Sequence, residues 1–198
     1  MDNNYIFQYW EAIQDGTVTV GKWIKTIYEI LVNGLKSGKW DFDEEKANKA
    51  INFIENFCHH SEGRNDLLKL ELWQKAIVSA IFGIMDKRTG YRQFREVFIV
   101  VARKNGKTLF AAAIAAYMAY IDGEYGAKVY FLAPKLDQAD LVYDAFYQIV
   151  QADDELDSIT KKRRSDIYIK EFNTSVKKIA FNSKKSDGFN PQMVVNDE

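Results

Sequence analysis

The second half of the chain alternates short apolar runs with longer helical patterns, and this alternation constrains the fold more than any other sequence feature. Glu96–Ala102 and Ala127–Ala133 are largely apolar runs, each of the length of a strand that is buried on both faces. The alanine-rich Thr108–Ile121 and the amphipathic Asp137–Ala152 have helical periodicity. Strands that alternate with helices predict an α/β fold with a mainly parallel sheet flanked by helices.

Three later segments complete the predicted sheet. Ile167–Ile169 and Val176–Phe181 have strand patterns, and their separation is compatible with a hairpin. Gln192–Asn196 is the last predicted strand. It is followed at once by the acidic pair Asp197 and Glu198.

The N-terminal third is predicted to be helical and separate from the α/β part. Asp41 and Glu44 resemble a capping box before the second helical stretch. The polar Ser61–Asp66 marks a boundary, and a further helix is predicted over Leu67–Met85. We therefore predict a helical region at residues 1–62 and an α/β domain at residues 63–198. Apolar residues recur at helical spacing in two stretches: Trp23, Ile24, Ile27, Tyr28, Ile30, Leu31 and Leu35, then Ala47, Ala50, Ile51, Ile54, Phe57 and Cys58.

Composition excludes several classes of protein. A single cysteine, Cys58, rules out an internal disulfide, and its neighbours His59 and His60 have no second ligand pair at a zinc-like spacing. No apolar run approaches the ~20 residues of a membrane span. We expect an intracellular protein that does not contact membranes. The net charge is −1, but residues 155–185 carry nine Lys or Arg against four Asp or Glu, an excess that could face a phosphate backbone or be a solvated surface.

Val101–Thr108 lies between a predicted strand and a predicted helix, which is the context of a phosphate-binding loop. Gly106 would let the backbone approach phosphates, and the helix start would favour an anion. Lys107 would neutralise the β- and γ-phosphates, and the Thr108 hydroxyl would ligate Mg²⁺. The first glycine of the usual G-x-x-x-x-G-K-[ST] pattern is replaced by Val101. A turn with a surface lysine is the alternative interpretation.

The last predicted strand and the acids after it have the form of a Walker B motif. Asp197 would hold Mg²⁺, and Glu198 would orient and deprotonate the attacking water. Two adjacent acids at a strand end are common in proteins. Their occurrence about 90 residues after a phosphate loop in one α/β unit predicts a P-loop NTPase, with ATP and Mg²⁺ as its cofactors.

Taken in order, four segments resemble the large terminase subunits of tailed bacteriophages. The glycine-poor Ala102–Thr108 is similar to the deviant Walker A motif of that family. Leu72–Lys75, followed by Ile81–Gly83, looks like its Trp-Gln motif. The other two similar segments are Leu132–Lys135 with Gln138 and Ala139, and Ser186–Gly188 with Pro191 before the Walker B strand.

The resemblance implies a nucleotide site made of several segments. Trp73 and Gln74 would flank the adenine, although Trp73 could be a core residue and Gln74 a surface residue. Arg103 or Lys104 would help to grip the phosphates where glycine is missing, although both could be exposed loop cations. Asn105 belongs to the same loop and is included among the expected nucleotide-binding residues.

The resemblance also implies a motor that packages viral double-stranded DNA. Its expected partners are that DNA, the small terminase subunit, and the portal of the procapsid, where several copies would form a ring in the host cytoplasm. The nuclease domain of the family does not follow Glu198, so we expect a domain truncated after Walker B, with slow ATP turnover. Two alternatives are another helicase-like P-loop ATPase that acts on DNA and an inactive nucleotide-binding fragment.

Overall fold

A computed structural model of the chain describes residues 4–60, 63–180 and 190–196. It divides into two compact units. The first comprises Met1–Glu55 and Lys69–Val100, and the second comprises Asn56–Leu68 and Val101–Glu198. The sequence-based division at residue 62 stays a prediction.

The first unit is built from helices and one short antiparallel ribbon. β1 and β2 form the ribbon, in which Asp41 is opposite Met85 and Phe42 is opposite Ile84. The predicted helix over Leu67–Met85 is therefore shorter at both ends, because it begins at Leu72 and its last two residues form β2. The elements are α1 (Tyr5–Gln14), α2 (Lys22–Lys36), β1 (Asp41–Phe42), α3 (Glu44–Phe57), whose last two residues belong to the second unit, α4 (Leu72–Gly83) and β2 (Ile84–Met85).

The core of the first unit lies between α1, α2 and α4. Its buried members include Ile6, Tyr28 and Ala76, and the rings of Tyr9 and Tyr28 meet edge to face at 4.7 Å. α2 has a second apolar side that faces solvent. Burial on one side accounts for only part of the apolar pattern of this helix. The exposed residues on this second side of α2 are Trp23, Ile24, Ile27 and Ile30.

Asp43, rather than Asp41, caps the start of α3. The Asp43 carboxylate accepts a hydrogen bond from the Lys46 backbone amide at 2.9 Å and pairs with the Lys46 ammonium at 3.2 Å. The expected capping box of Asp41 and Glu44 is wrong, because Asp41 is taken into β1 and Glu44 is already the first helical residue.

The second unit contains a five-stranded sheet in the order β4-β5-β6-β3-β7. β3 lies parallel to both β6 and β7, whereas β4, β5 and β6 are antiparallel neighbours. The sheet is thus mixed rather than purely parallel, because the predicted hairpin and an unforeseen β4 add antiparallel strands on one side of its parallel part. Its elements are α5 (Lys107–Tyr120), β3 (Lys128–Ala133), α6 (Leu136–Ala152), α7 (Asp154–Ile159), β4 (Thr160–Lys162), β5 (Ile167–Ile169), β6 (Thr174–Ala180) and β7 (Met193–Asn196).

Two helices, α5 and α6, pack against each other and on β3 and β6. Phe131 of β3 and Phe146 of α6 lie at the centre of this layer, with ring centroids 5.8 Å apart. Every residue of α5 from Ala112 to Tyr120 is buried. The alanine-rich pattern therefore marks a helix that is enclosed on nearly all sides. None of the helices in the described ranges is long and apolar enough to cross a membrane.

The predicted buried strand at Glu96–Ala102 does not form. Among the described residues the segment has no ladder partner, and most of its apolar side chains face solvent, with Phe98 92% and Val100 78% exposed. A continuous apolar run predicts burial but does not specify the strand that would pair with it. β7 is likewise only half-buried, since among the described residues it pairs with β3 alone.

Candidate nucleotide-binding site

The loop before α5 changes backbone handedness twice within three residues. Lys104 and Gly106 have φ angles of 66° and 67°, in the left-handed region, whereas Asn105 between them does not have a positive φ. Gly106 is the residue that caps the start of α5, and a Cβ built on it meets nothing within 4 Å. Backbone of alternating handedness forms a concavity lined by amide groups, which is the shape that binds anions.

The side chain of Asn105 is hydrogen-bonded to the backbone of this loop. Its side-chain amide donates to the carbonyl oxygen of Ala102 at 3.1 Å and to that of Arg103 at 3.3 Å. Asn105 was expected to contact nucleotide, but here its amide contacts the loop's own backbone. These two hydrogen bonds close the turn that leads into α5.

The loop and the start of α5 are strongly positive. Arg103 and Lys104 are exposed, Lys107 is half-buried, and among the described residues none of the three forms an ion pair. The first turn of α5 contains no acidic residue, so the positive end of its dipole is not neutralised there. Three cations, a helix N-terminus and open space above Gly106 fit the phosphates of a nucleotide.

Trp73 and Gln74 lie at the start of α4, in the first compact unit, whereas the loop belongs to the second. Trp73 is half-buried and packs against the core of the first unit. Gln74 is buried, and its side-chain oxygen accepts from the Glu71 amide at 2.9 Å in a capping box with Glu71. The structure therefore shows a helix-capping role for Gln74, and the adenine contact stays a prediction.

The remaining predicted site residues are Thr108, Asp197 and Glu198. Thr108 is half-buried in the first turn of α5, next to Lys107. Asp197 and Glu198, the expected Mg²⁺ ligand and general base, lie outside the described residues. Within the described ranges, no cluster of three His, Cys, Asp or Glu residues could hold a metal ion.

Part of the predicted basic stretch is engaged within the protein. Arg163 donates two hydrogen bonds of 2.6 Å to the buried carboxylate of Asp166. Lys178 pairs with Asp140, and the Lys162 ammonium lies 4.0 Å from the centre of the Tyr147 ring. The local excess of positive charge thus partly serves to hold the second unit together. The segment of Lys184 and Lys185 lies outside the described residues.

A comparison with protein families identifies the α/β part of the chain. Residues 72–198, more than half of the sequence, match the family described as terminase large subunit, ATPase domain. The chain belongs to this family. The match begins at the first residue of α4, so this ATPase-domain family includes the Trp73-Gln74 helix as well as the phosphate loop.

A solved structure has the same fold. The large terminase of bacteriophage HK97 matches with a TM-score of 0.66 and 24% sequence identity over 77% of this chain. The present chain spans 31% of that terminase. A comparison with curated proteins found no match. The two matches confirm the resemblance to large terminases and the fold class of a terminase ATPase preceded by a helical region.

Sequence reasoning missed Glu71, which caps α4 together with Gln74, and it missed the contacts that Asn105 makes within its own loop. Glu71 was not considered, although Glu71 and Gln74 have the three-residue spacing of a capping box, because glutamate is not a favoured capping residue. The hydrogen bonds from the Asn105 amide to its own loop could not be predicted from the sequence, since asparagine is common in turns of every kind.

Proposed function

We propose that the chain is the ATP-hydrolysing motor part of a terminase that translocates viral double-stranded DNA into a procapsid. The observation that carries the proposal is the family match over residues 72–198, which includes a positively charged loop of alternating handedness at the start of a buried helix. Bound ATP with Mg²⁺ would supply the β–γ phosphoanhydride bond whose hydrolysis, by transfer of the γ-phosphoryl group to water, drives movement.

The residues of the loop have distinct roles in this proposal. Lys107 neutralises the β- and γ-phosphates, and Arg103 and Lys104 add positive charge where the usual glycine is absent. Gly106 leaves room for the phosphates, because a Cβ built on it meets no neighbouring segment of the described residues within 4 Å. The Thr108 hydroxyl is the Mg²⁺ ligand in the first turn of α5.

The acidic pair and the Trp-Gln motif complete the proposed site. Asp197 is the second Mg²⁺ ligand, and Glu198 is the general base that takes a proton from the attacking water. Trp73 lies against the adenine, and Gln74 takes part in choosing the base. The proposed partners are viral DNA, the small terminase subunit and the portal, on which several copies form a ring in the host cytoplasm.

The test is packaging by the whole protein that carries this sequence. Procapsids, small subunit, viral DNA and ATP are combined, and the DNA that becomes resistant to nuclease is measured. We expect protection with the parent protein and none with Lys107→Ala. ATP binding without any protected DNA would overturn the translocation motor, and strand separation in a parallel assay would then favour the helicase-like alternative. Absence of ATP binding would overturn the nucleotide site itself.

A further inference from the structure

We infer that Asn105 is a positioning residue, which shapes the phosphate loop in place of the glycine that Val101 replaces. The inference rests on the proposed function, because it concerns how the same loop meets phosphates. Sequence alone placed Asn105 among the residues that touch nucleotide, whereas the structure turns its amide towards the loop.

The first reason is the backbone conformation on either side of Asn105. Lys104 carries a Cβ and still has a φ of 66°, a conformation that is disfavoured for residues other than glycine. Such a conformation persists only where neighbouring contacts hold it. The two hydrogen bonds of the Asn105 amide span this residue, since they join Asn105 to Ala102 and Arg103.

The second reason is that backbone amide groups of the loop, rather than its carbonyl oxygens, remain available to an anion. An anion is repelled by carbonyl oxygens and attracted by amide groups. The Asn105 amide draws the carbonyl oxygens of Ala102 and Arg103 to itself at 3.1 and 3.3 Å. The alternating handedness of Lys104, Asn105 and Gly106 then leaves the loop with the amide-lined concavity that phosphates require.

Two substitutions remove the two hydrogen bonds of the Asn105 amide. Asn105→Asp keeps nearly the same shape but cannot donate to either carbonyl oxygen, and Asn105→Ala removes the group altogether. With both hydrogen bonds lost, we expect the affinity for Mg²⁺-ATP to fall about tenfold in Asn105→Ala, and further in Asn105→Asp, whose added negative charge also repels the phosphates. The affinity for adenosine, which has no phosphates, should be unchanged.

A second measurement needs no nucleotide. Trypsin cleaves after Arg103, which is exposed, and cleavage requires the turn to open. We expect cleavage there to become several-fold faster in both variants. Cleavage after Arg88 is the internal control, because that turn is held by Asp86, whose carboxylate accepts from the Arg88 and Thr89 amides at 2.9 and 2.8 Å.

The outcomes distinguish this inference from the proposed function. Failure of the parent to bind ATP overturns the proposed function, and the trypsin comparison still decides whether Asn105 braces the loop. Cleavage after Arg103 at the parent rate in both variants overturns the inference that the Asn105 side chain holds the loop in its conformation. If cleavage is faster but the affinity for Mg²⁺-ATP equals that of the parent, Asn105 holds the loop without positioning phosphates. That result overturns the inference as well.

Discussion

Replacing Gly106 with alanine should separate the effect on stability from the effect on nucleotide binding. Among the described residues the added Cβ meets no neighbouring segment within 4 Å, so we expect the cost in the free protein to come from holding alanine at a φ of 67°. That cost is about 1 kcal/mol in the free energy of unfolding. In a chain of this size it lowers the melting temperature by about 2–4 °C.

Gly126→Ala is the matched control within the same compact unit. Gly126 has a φ of 83°, and its nearest neighbour is the Asn173 side-chain nitrogen at an ordinary 3.9 Å. Both variants should therefore melt at similarly lowered temperatures. Only Gly106→Ala should weaken Mg²⁺-ATP binding, by tenfold or more, because its Cβ occupies space that the proposed site gives to the phosphates.

Thermal melting and a titration with a fluorescent ATP analogue measure the two quantities on the same samples. Parent affinity in Gly106→Ala, combined with the expected loss of stability, would refute the placement of phosphates at this loop. A loss of stability several times that of Gly126→Ala would instead refute the argument that the space around Gly106 is open.

Three further predictions concern other residues. Lys107→Ala should abolish ATP turnover with little loss of stability, as measured by phosphate release and melting, and an unchanged rate would contradict its role. Gln74→Ala should lower stability by about 1 kcal/mol through loss of the cap on the Glu71 amide. In competition binding it should also narrow the preference for ATP over GTP, whereas Gln74→Glu keeps the capping oxygen and the stability. Burial raises the pKa of the Cys58 thiol above its usual range, so Cys58 should resist thiol reagents at pH 8 until denaturant is added, and rapid labelling of the native protein would contradict its burial.

The sequence predicted those elements whose patterns have a local cause. The apolar Ala127–Ala133 is stopped by Pro134, and β3 forms there as Lys128–Ala133, between two parallel partners. The alanine-rich helix after Gly106 was also predicted, and α5 runs over Lys107–Tyr120. Both are confirmed because periodicity and chain-breaking residues are properties of the segment itself.

What the sequence did not predict depends on contacts with distant segments. Glu96–Ala102 has the composition of a strand, but no described segment pairs with it. β4 was missed because Thr160–Lys162 is polar and is a strand only through its ladder with β5. The left-handed Lys104 could not be foreseen either, because it depends on where one asparagine side chain points.

The buried alanines of α5 also affect how a movement of the loop would be passed to the rest of its unit. Alanine has no side-chain torsion that can turn, so Ala112, Ala113, Ala115 and Ala116, each 0% exposed, cannot absorb a displacement by changing rotamers. We expect a shift at Lys107 to pass along this stretch of α5 through the backbone. The elements packed on α5, which include β3 and α6, would receive that displacement.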